Sequence, residues 1–184
     1  ADLSPSFLKG VEFMTDISRL IAAMSEYEAG CPRRIHHFLK VYAFAKAIGE
    51  QEGLPPETQR ILEGAAVVHD AGIRPALEKY GSPAGPYQEK EGPAVVREML
   101  TKLGNWTPEE TERICTLVGR HHTYEGIDGL DRQILIEADF LVNLYEEGET
   151  AQAAEQVKRK IFRTAAGTRF LEELFLADPD FLKN

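Results

Sequence analysis

The chain has 184 residues, 43% hydrophobic and 28% charged, a make-up that suits one soluble domain with a sizeable core and no disordered tail. Its formal net charge of −9, from 21 basic and 30 acidic residues, argues against a nucleic acid polymer as partner, because phosphate backbones are held by excess Lys and Arg. No apolar run reaches a membrane-helix length and no basic leader precedes an apolar segment, while Cys31 and Cys115 form neither a CxxC pair nor a thiolate cluster; a reducing, cytoplasmic setting away from membranes is expected.

Apolar residues recur at threes and fours through Leu8, Val11, Phe13, Met14, Ile17, Leu20, Ile21 and Met24, which predicts a first helix over 8–27, broken by Gly30 and Pro32. A second helix, about 33–51, carries Ile35, Phe38, Leu39, Tyr42, Ala45 and Ile48 on a broad apolar face. His37 shares a stripe with Val41, Phe44 and Ile48 and is expected to point inward; His36 lies about 100° further round the helix, nearer solvent. Gly53 to Pro56 form a loop that opens a third helix, and Ala65-Ala66-Val67-Val68 carries it to His69 and Asp70 at its C-terminal end. The stretch 72–87 holds three glycines with Pro75, Pro83 and Pro86 and reads mostly as loop, with one helical turn around 76–80. A helix over 91–103 follows, then one opened by the Thr107-Pro108-Glu109-Glu110 cap signal and running to His121. Another, over 134–145, turns Ile134, Leu135, Ala138, Leu141, Val142 and Tyr145 inward, and a tail of one or two helices is split at Gly167. Nothing alternates with period two over any length, and no internal repeat is visible, so the class is all-α.

The five histidines occur at three places only: His36 with His37, His69 beside Asp70, and His121 with His122, each on or at the end of a predicted helix. The alternative reading of such placement is a solvated helix end favoured by the macrodipole. Asp139 is the fourth ingredient. Its helical neighbours Leu135 and Val142 are apolar, so its carboxylate faces inward, where it needs a partner. Neutral imidazole and ionised carboxylate are the usual N and O donors for a divalent metal, which would supply that partner.

The strings Arg34-Ile35-His36-His37-Phe38-Leu39-Lys40-Val41, Ala65-Ala66-Val67-Val68-His69-Asp70-Ala71-Gly72 and Glu137-Ala138-Asp139 resemble the HD-domain superfamily of metal-dependent phosphohydrolases. The resemblance implies a single-domain helical bundle with an HD-type core over about 33–145, on which an N-terminal helix 8–27 and C-terminal helices 151–183 pack. Carried over residue by residue, it implies His37, His69, Asp70 and Asp139 as ligands of a divalent metal: manganese, iron, cobalt, nickel or zinc. His37 rather than His36 takes the first place because the apolar Val41 follows it at i+4. Two departures limit the match. Gly72 is followed by Ile73 where many members have Lys, and Gln88 stands where two-metal members have a histidine. One tight metal site is therefore expected, with Gln88, His121 and His122 as candidates for a second cation or for substrate.

The resemblance implies hydrolysis of a small phosphorylated metabolite or nucleotide by a metal-activated water, with Asp70 orienting the water. Arg34 and Arg74 are the candidates for holding phosphate, with Lys79 and Arg120 beside them. Tyr80, Ser82, Tyr87 and the turn from His122 to Gly126 are the expected pocket walls, the tyrosines serving either to stack on substrate or to anchor loops. The rival readings are an HD-fold di-iron oxygenase and a metal-stabilised ligand-binding or signalling module without turnover. The oligomeric state is open, a homodimer included.

Overall fold

The computed structural model describes residues 14–178. Among these residues every regular element is helical, and no helix is long and apolar enough to cross a membrane. Helix α1 (Asp16–Tyr27) starts on Thr15, whose side chain accepts from the Ser18 N–H; the part of the expected first helix before residue 14 lies outside the described residues. α1 leads through a turn to α2 (Pro32–Gln51) and α3 (Pro56–Val68), both with Pro in the first turn, where its missing N–H costs no helical hydrogen bond. α3 is the axis of the molecule. Every residue from Ile61 to Val68 is buried, and it packs against α1, α2, α6 and α7. Small residues make that crowding feasible: a Cβ at Gly64 would lie 2.8 Å from the Trp106 ring.

The stretch 72–87 is not the loop its glycines and prolines suggest. α4 (Ile73–Tyr80) takes up eight residues, and α5 (Gly85–Leu103) begins six residues before the expected start. Pro75 and Pro86 sit in the first turns of these helices, so each occupies a position where proline is tolerated rather than one where it breaks a helix. Tyr80 and Tyr87 stack on each other at 4.3 Å, and the Tyr80 hydroxyl donates to Glu91; in this structure they anchor α4 to α5. At the start of this segment Gly72 presses on the backbone carbonyl of Gln88 so closely that no Cβ fits between them.

α6 (Pro108–Val118) opens with the expected capping box: Thr107 Oγ1 accepts from the Glu110 N–H at 3.2 Å, and Glu110 Oε2 accepts from the Thr107 N–H at 2.8 Å. Arg60 ties this cap to α3 by donating to Glu110 at 2.7 Å while lying over the Trp106 ring. The helix stops at Val118, one turn short of the expected His121. α7 (Leu130–Glu146) then runs beside α2 and α3 with Ile134, Leu135, Ala138, Leu141 and Val142 in the core. Tyr145 departs from expectation: it is 72% exposed near the last turn of α7, with the Lys40 ammonium over its ring.

The tail comprises α8 (Ala151–Ile161), α9 (Ala165–Leu171) and a π-helical turn, Glu172–Leu176. Its break falls at 162–164, not at Gly167. The cause is Glu137, fully buried on α7, whose carboxylate accepts from the backbone N–H groups of Arg163 at 2.6 Å and Thr164 at 3.0 Å, and from the Thr164 hydroxyl. Gly167 belongs inside α9, where Glu137 leaves no space for a side chain.

Candidate metal centre

Side chains from two helix interiors, α2 and α7, meet others from the end of α3 and the turn after α6. His37 comes from the second turn of α2, His69 and Asp70 from the C-terminal end of α3, Asp139 from the middle of α7, and His121 with His122 from the turn after α6. His37, His69, His121 and Asp139 are buried and Asp70 is the partly open member, with 17% of its side chain exposed. His36, by contrast, faces solvent.

His37 Nε2 lies 3.2 Å from His69 Nε2, 3.2 Å from Asp139 Oδ1 and 3.5 Å from Asp70 Oδ2. His69 Nε2 lies 3.5 Å from both Asp70 Oδ1 and Asp139 Oδ1. Donors bound at about 2.0–2.2 Å to one metal and set at right angles stand roughly 3 Å apart, so these separations are close to the edges of a coordination polyhedron. His37, His69 and Asp70 form one group able to hold a cation, and Asp70, His121 and His122 form a second, each with ligand atoms within 4.8 Å of one another. Asp70 belongs to both.

The imidazoles are already turned for ligation. His69 Nδ1–H donates to the Ala66 carbonyl at 2.9 Å and His121 Nδ1–H to the Val118 carbonyl at 2.7 Å, which leaves Nε2 of each facing the cluster. Burial alone would lower the pKa of His37 and His69; for His37 the hydrogen bond to Asp139 outweighs it, and for His69 the adjacent charge of Asp70, so His37 is raised and His69 reaches about 9. Burial would raise the two carboxyls. Instead the His69 charge takes Asp70 to about 2, and hydrogen bonds from His37 and His69 hold Asp139 well below the carboxylate range. His122 is pushed down to about 4 by burial and by its neighbour His121, so its ring is neutral and keeps a lone pair.

The second group carries the observation that tests whether a cation suits the site. His121 Nε2, His122 Nε2 and Gln88 Oε1 are all buried without a hydrogen-bond partner. His121 Nε2, 3.7 Å from Asp70 Oδ1, and His122 Nε2 belong to the second group, and buried atoms of this kind are costly unless something electropositive satisfies them. The Gln88 amide nitrogen donates to the Pro83 carbonyl at 2.6 Å, which fixes its oxygen as the free end. Gly85 lets the His122 ring approach α5, since a Cβ there would lie 2.9 Å from it.

Neither arginine expected to hold phosphate makes a contact with this cluster. Arg34 Nε donates to Glu28 at 2.6 Å, because that carboxylate is 1% exposed and needs a charge beside it. Arg74 donates to the Tyr27 carbonyl at 2.7 Å and lies over the Tyr27 ring, pinning the end of α1. Lys79 is paired with Glu91, and Arg120 is exposed.

Four residues of the surroundings escaped the sequence reading. Asn143 donates to Asp139 Oδ1 at 2.9 Å, and Glu146 Oε2 lies 3.1 Å from His37 Nδ1. Both follow Asp139 at helical spacing, i+4 and i+7, which was the available signal. Glu89 accepts from the His122 N–H at 2.9 Å, and the fully buried Arg132 gathers the carbonyls of Thr123, Glu125 and Gly126 and so sets the turn after His122; no local pattern announces either.

A family model described as HD domain matches residues 34–162. Among solved structures, the chain is similar to the crystal structure of a predicted HD superfamily hydrolase from an uncultured Thermotogales bacterium, at 19% identity over 96% of this chain and 95% of that one, with a TM-score of 0.65. At that identity the likeness concerns the fold. No curated protein matches the chain.

Proposed function

This chain belongs to the HD-domain family, and from that premise we propose that it is a metal-dependent phosphohydrolase acting on a small phosphorylated metabolite or nucleotide. The carrying observation is the convergence of the His37 and His69 Nε2 atoms with Asp70 and Asp139 oxygens at 3.2–3.5 Å. These four residues would hold one cation, and Asp70 with His121 and His122 would hold another. Bound there, a divalent cation supplies Lewis acidity toward a phosphoryl oxygen and makes water more acidic.

Charge supports two cations rather than the single tight one that Gln88 suggests. Asp70 and Asp139 bring two negative charges, which one divalent ion and neutral imidazoles would only cancel. Arg34, Arg74 and Lys79 are engaged elsewhere. A second cation is what gives the cluster a net positive charge for a phosphate. On the protein side, the partly open Asp70 can accept a hydrogen bond from an attacking water and fix its direction, while the buried histidines and Asn143 hold the ligand set in place. The name carried by the Thermotogales neighbour, a hydrolase, agrees with this reading.

Elemental analysis of protein purified without chelator, followed by a panel of phosphomonoesters and nucleotides assayed with each candidate metal, tests it. About two metals per chain and metal-dependent release of phosphate are expected; a protein that retains no divalent metal and hydrolyses nothing in the panel overturns it. The shared Asp70 also favours one second reading, a di-iron oxygenase, because a carboxylate common to two groups is what such a pair needs. Iron as the resident metal, with an oxygen-dependent change in the visible spectrum and no phosphate release, selects that reading.

A further inference from the structure

His37 differs from the other two inward-facing histidines in what holds its far side. His69 and His121 stand just past helix ends, where a carbonyl three residues back has no helical partner and is free to accept Nδ1–H. His37 stands inside α2, where the preceding carbonyls are already occupied by the helix. Its acceptor comes from a different helix, 109 residues along the chain: Glu146 Oε2, 3.1 Å from Nδ1. The other oxygen, Glu146 Oε1, accepts from Lys40 Nζ at 2.7 Å. Lys40 lies one turn after His37 on α2, and Glu146 lies two turns after Asp139 on α7, so the two helices are linked twice, once through Asp139 and once through Glu146. Only 13% of the Glu146 side chain is exposed.

We propose that Glu146 is the positioning residue of the first cation site, its carboxylate held by Lys40 and receiving His37 Nδ1–H so that Nε2 is presented to the metal as a stronger donor than an imidazole backed by a carbonyl. The inference rests on the reading of this cluster as a metal centre. A carboxylate behind a ligating imidazole fixes its tautomer and ring plane and adds electron density to the ring, and removal of such a partner weakens metal affinity about 10- to 100-fold. Glu146→Ala removes both effects. Glu146→Gln keeps an acceptor oxygen for Nδ1–H and loses the charge, so it should fall between Glu146→Ala and the unmodified protein. Lys40→Met leaves the carboxylate in place and should change affinity less than about threefold.

The test is competition of the metal-stripped full chain against a chromophoric chelator for Zn²⁺, combined with NMR of the Co²⁺-loaded protein, in which exchangeable imidazole N–H protons are shifted clear of other signals. Expected are graded Zn²⁺ affinities, with Glu146→Ala weakest, and loss or fast exchange of the His37 N–H signal alone, those of His69 and His121 remaining. A merely structural role for Glu146 would not single out one histidine. Glu146→Ala binding Zn²⁺ within twofold of the unmodified protein, or with its His37 signal unchanged, overturns the inference while leaving the metal centre intact. Failure of the unmodified protein to bind either ion overturns the metal reading itself and this inference with it. If Glu146→Ala does not fold by circular dichroism, Glu146→Gln decides: affinity equal to the unmodified protein overturns the proposal.

Discussion

The ligand atoms of His37, His69 and Asp139 lie within 3.5 Å of one another, each imidazole facing a carboxylate; in the second group, His121 and His122, and on α5 Gln88, end in buried atoms without a hydrogen-bond partner. The first side comes from helices whose packing forms the core, the second from the turn after α6 and the beginning of α5. Protons can stand in for a cation on the first side, because protonated imidazoles neutralise the buried carboxylates. They serve poorly on the second, where His122 resists protonation. The first half is therefore internally paired even without metal, whereas the second half carries polar atoms that no protein group satisfies.

The most disruptive way to test this contrast is His69→Ala. It strips the fully buried partner from two carboxylates, so metal-free stability should fall by about 3–5 kcal/mol in denaturant unfolding, and the first cation and activity should go together. Full metal content in that variant would show that the two halves had been assigned wrongly.

Next in size is the pH dependence of the metal-free protein. His69 titrates near 9 when folded against 6.5 otherwise, so its contribution is complete below about pH 6.5 and is lost as pH rises through about 9. Asp70 behaves in the opposite sense: its contribution is present above 3.8 and is lost as pH falls through about 2. His122, held near 4 when folded against 6.5 otherwise, loses its contribution as pH falls from about 6.5 toward 4, so Tm should be highest near pH 6.5, falling on the acid side and declining on the alkaline side by about 3 kcal/mol in equivalent stability. Loading with Zn²⁺, which takes the place of the proton, should abolish the alkaline decline. A flat metal-free profile would remove the claim that protons substitute for the cation.

His122→Ala should be milder, leaving stability within about 1 kcal/mol and the first cation in place while weakening the second roughly tenfold, read by stepwise metal titration. The smallest expected change is a gain. Gln88→His replaces an orphaned amide oxygen with a better donor and should tighten the second cation several-fold. If both variants bind two metals as the unmodified protein does, the second half is not a cation site.

Much of this was legible in the chain itself. Periodicity placed α2, α3 and α7, and the capping box placed the start of α6, because those signals are local and their cause lies within a few residues. The inward positions of His37 and Asp139 followed from their apolar neighbours at helical spacing. What escaped depends on distant partners. The break at 162–164 is set by Glu137, which takes up two backbone N–H groups there, and Gly167 is glycine for clearance rather than as a helix stop. The prolines of 72–87 mislead because proline means opposite things at the first turn of a helix and within it. Arg34 and Arg74 are drawn to Glu28 and Tyr27, and nothing in their own neighbourhood of sequence records that pull.

The contact between Gly72 and the carbonyl of Gln88 bears on how a four-letter signature such as His69-Asp70-Ala71-Gly72 should be understood. Its first two letters are chemical, and the last is a matter of elbow room: a methyl at residue 72 would wedge α5 outward and carry Gln88, and the histidine turn resting on Gly85 and Glu89, away from Asp70. A motif scored letter by letter thus mixes reagents with spacers, and a chain could keep every reagent yet be silenced by one carbon atom at the spacer.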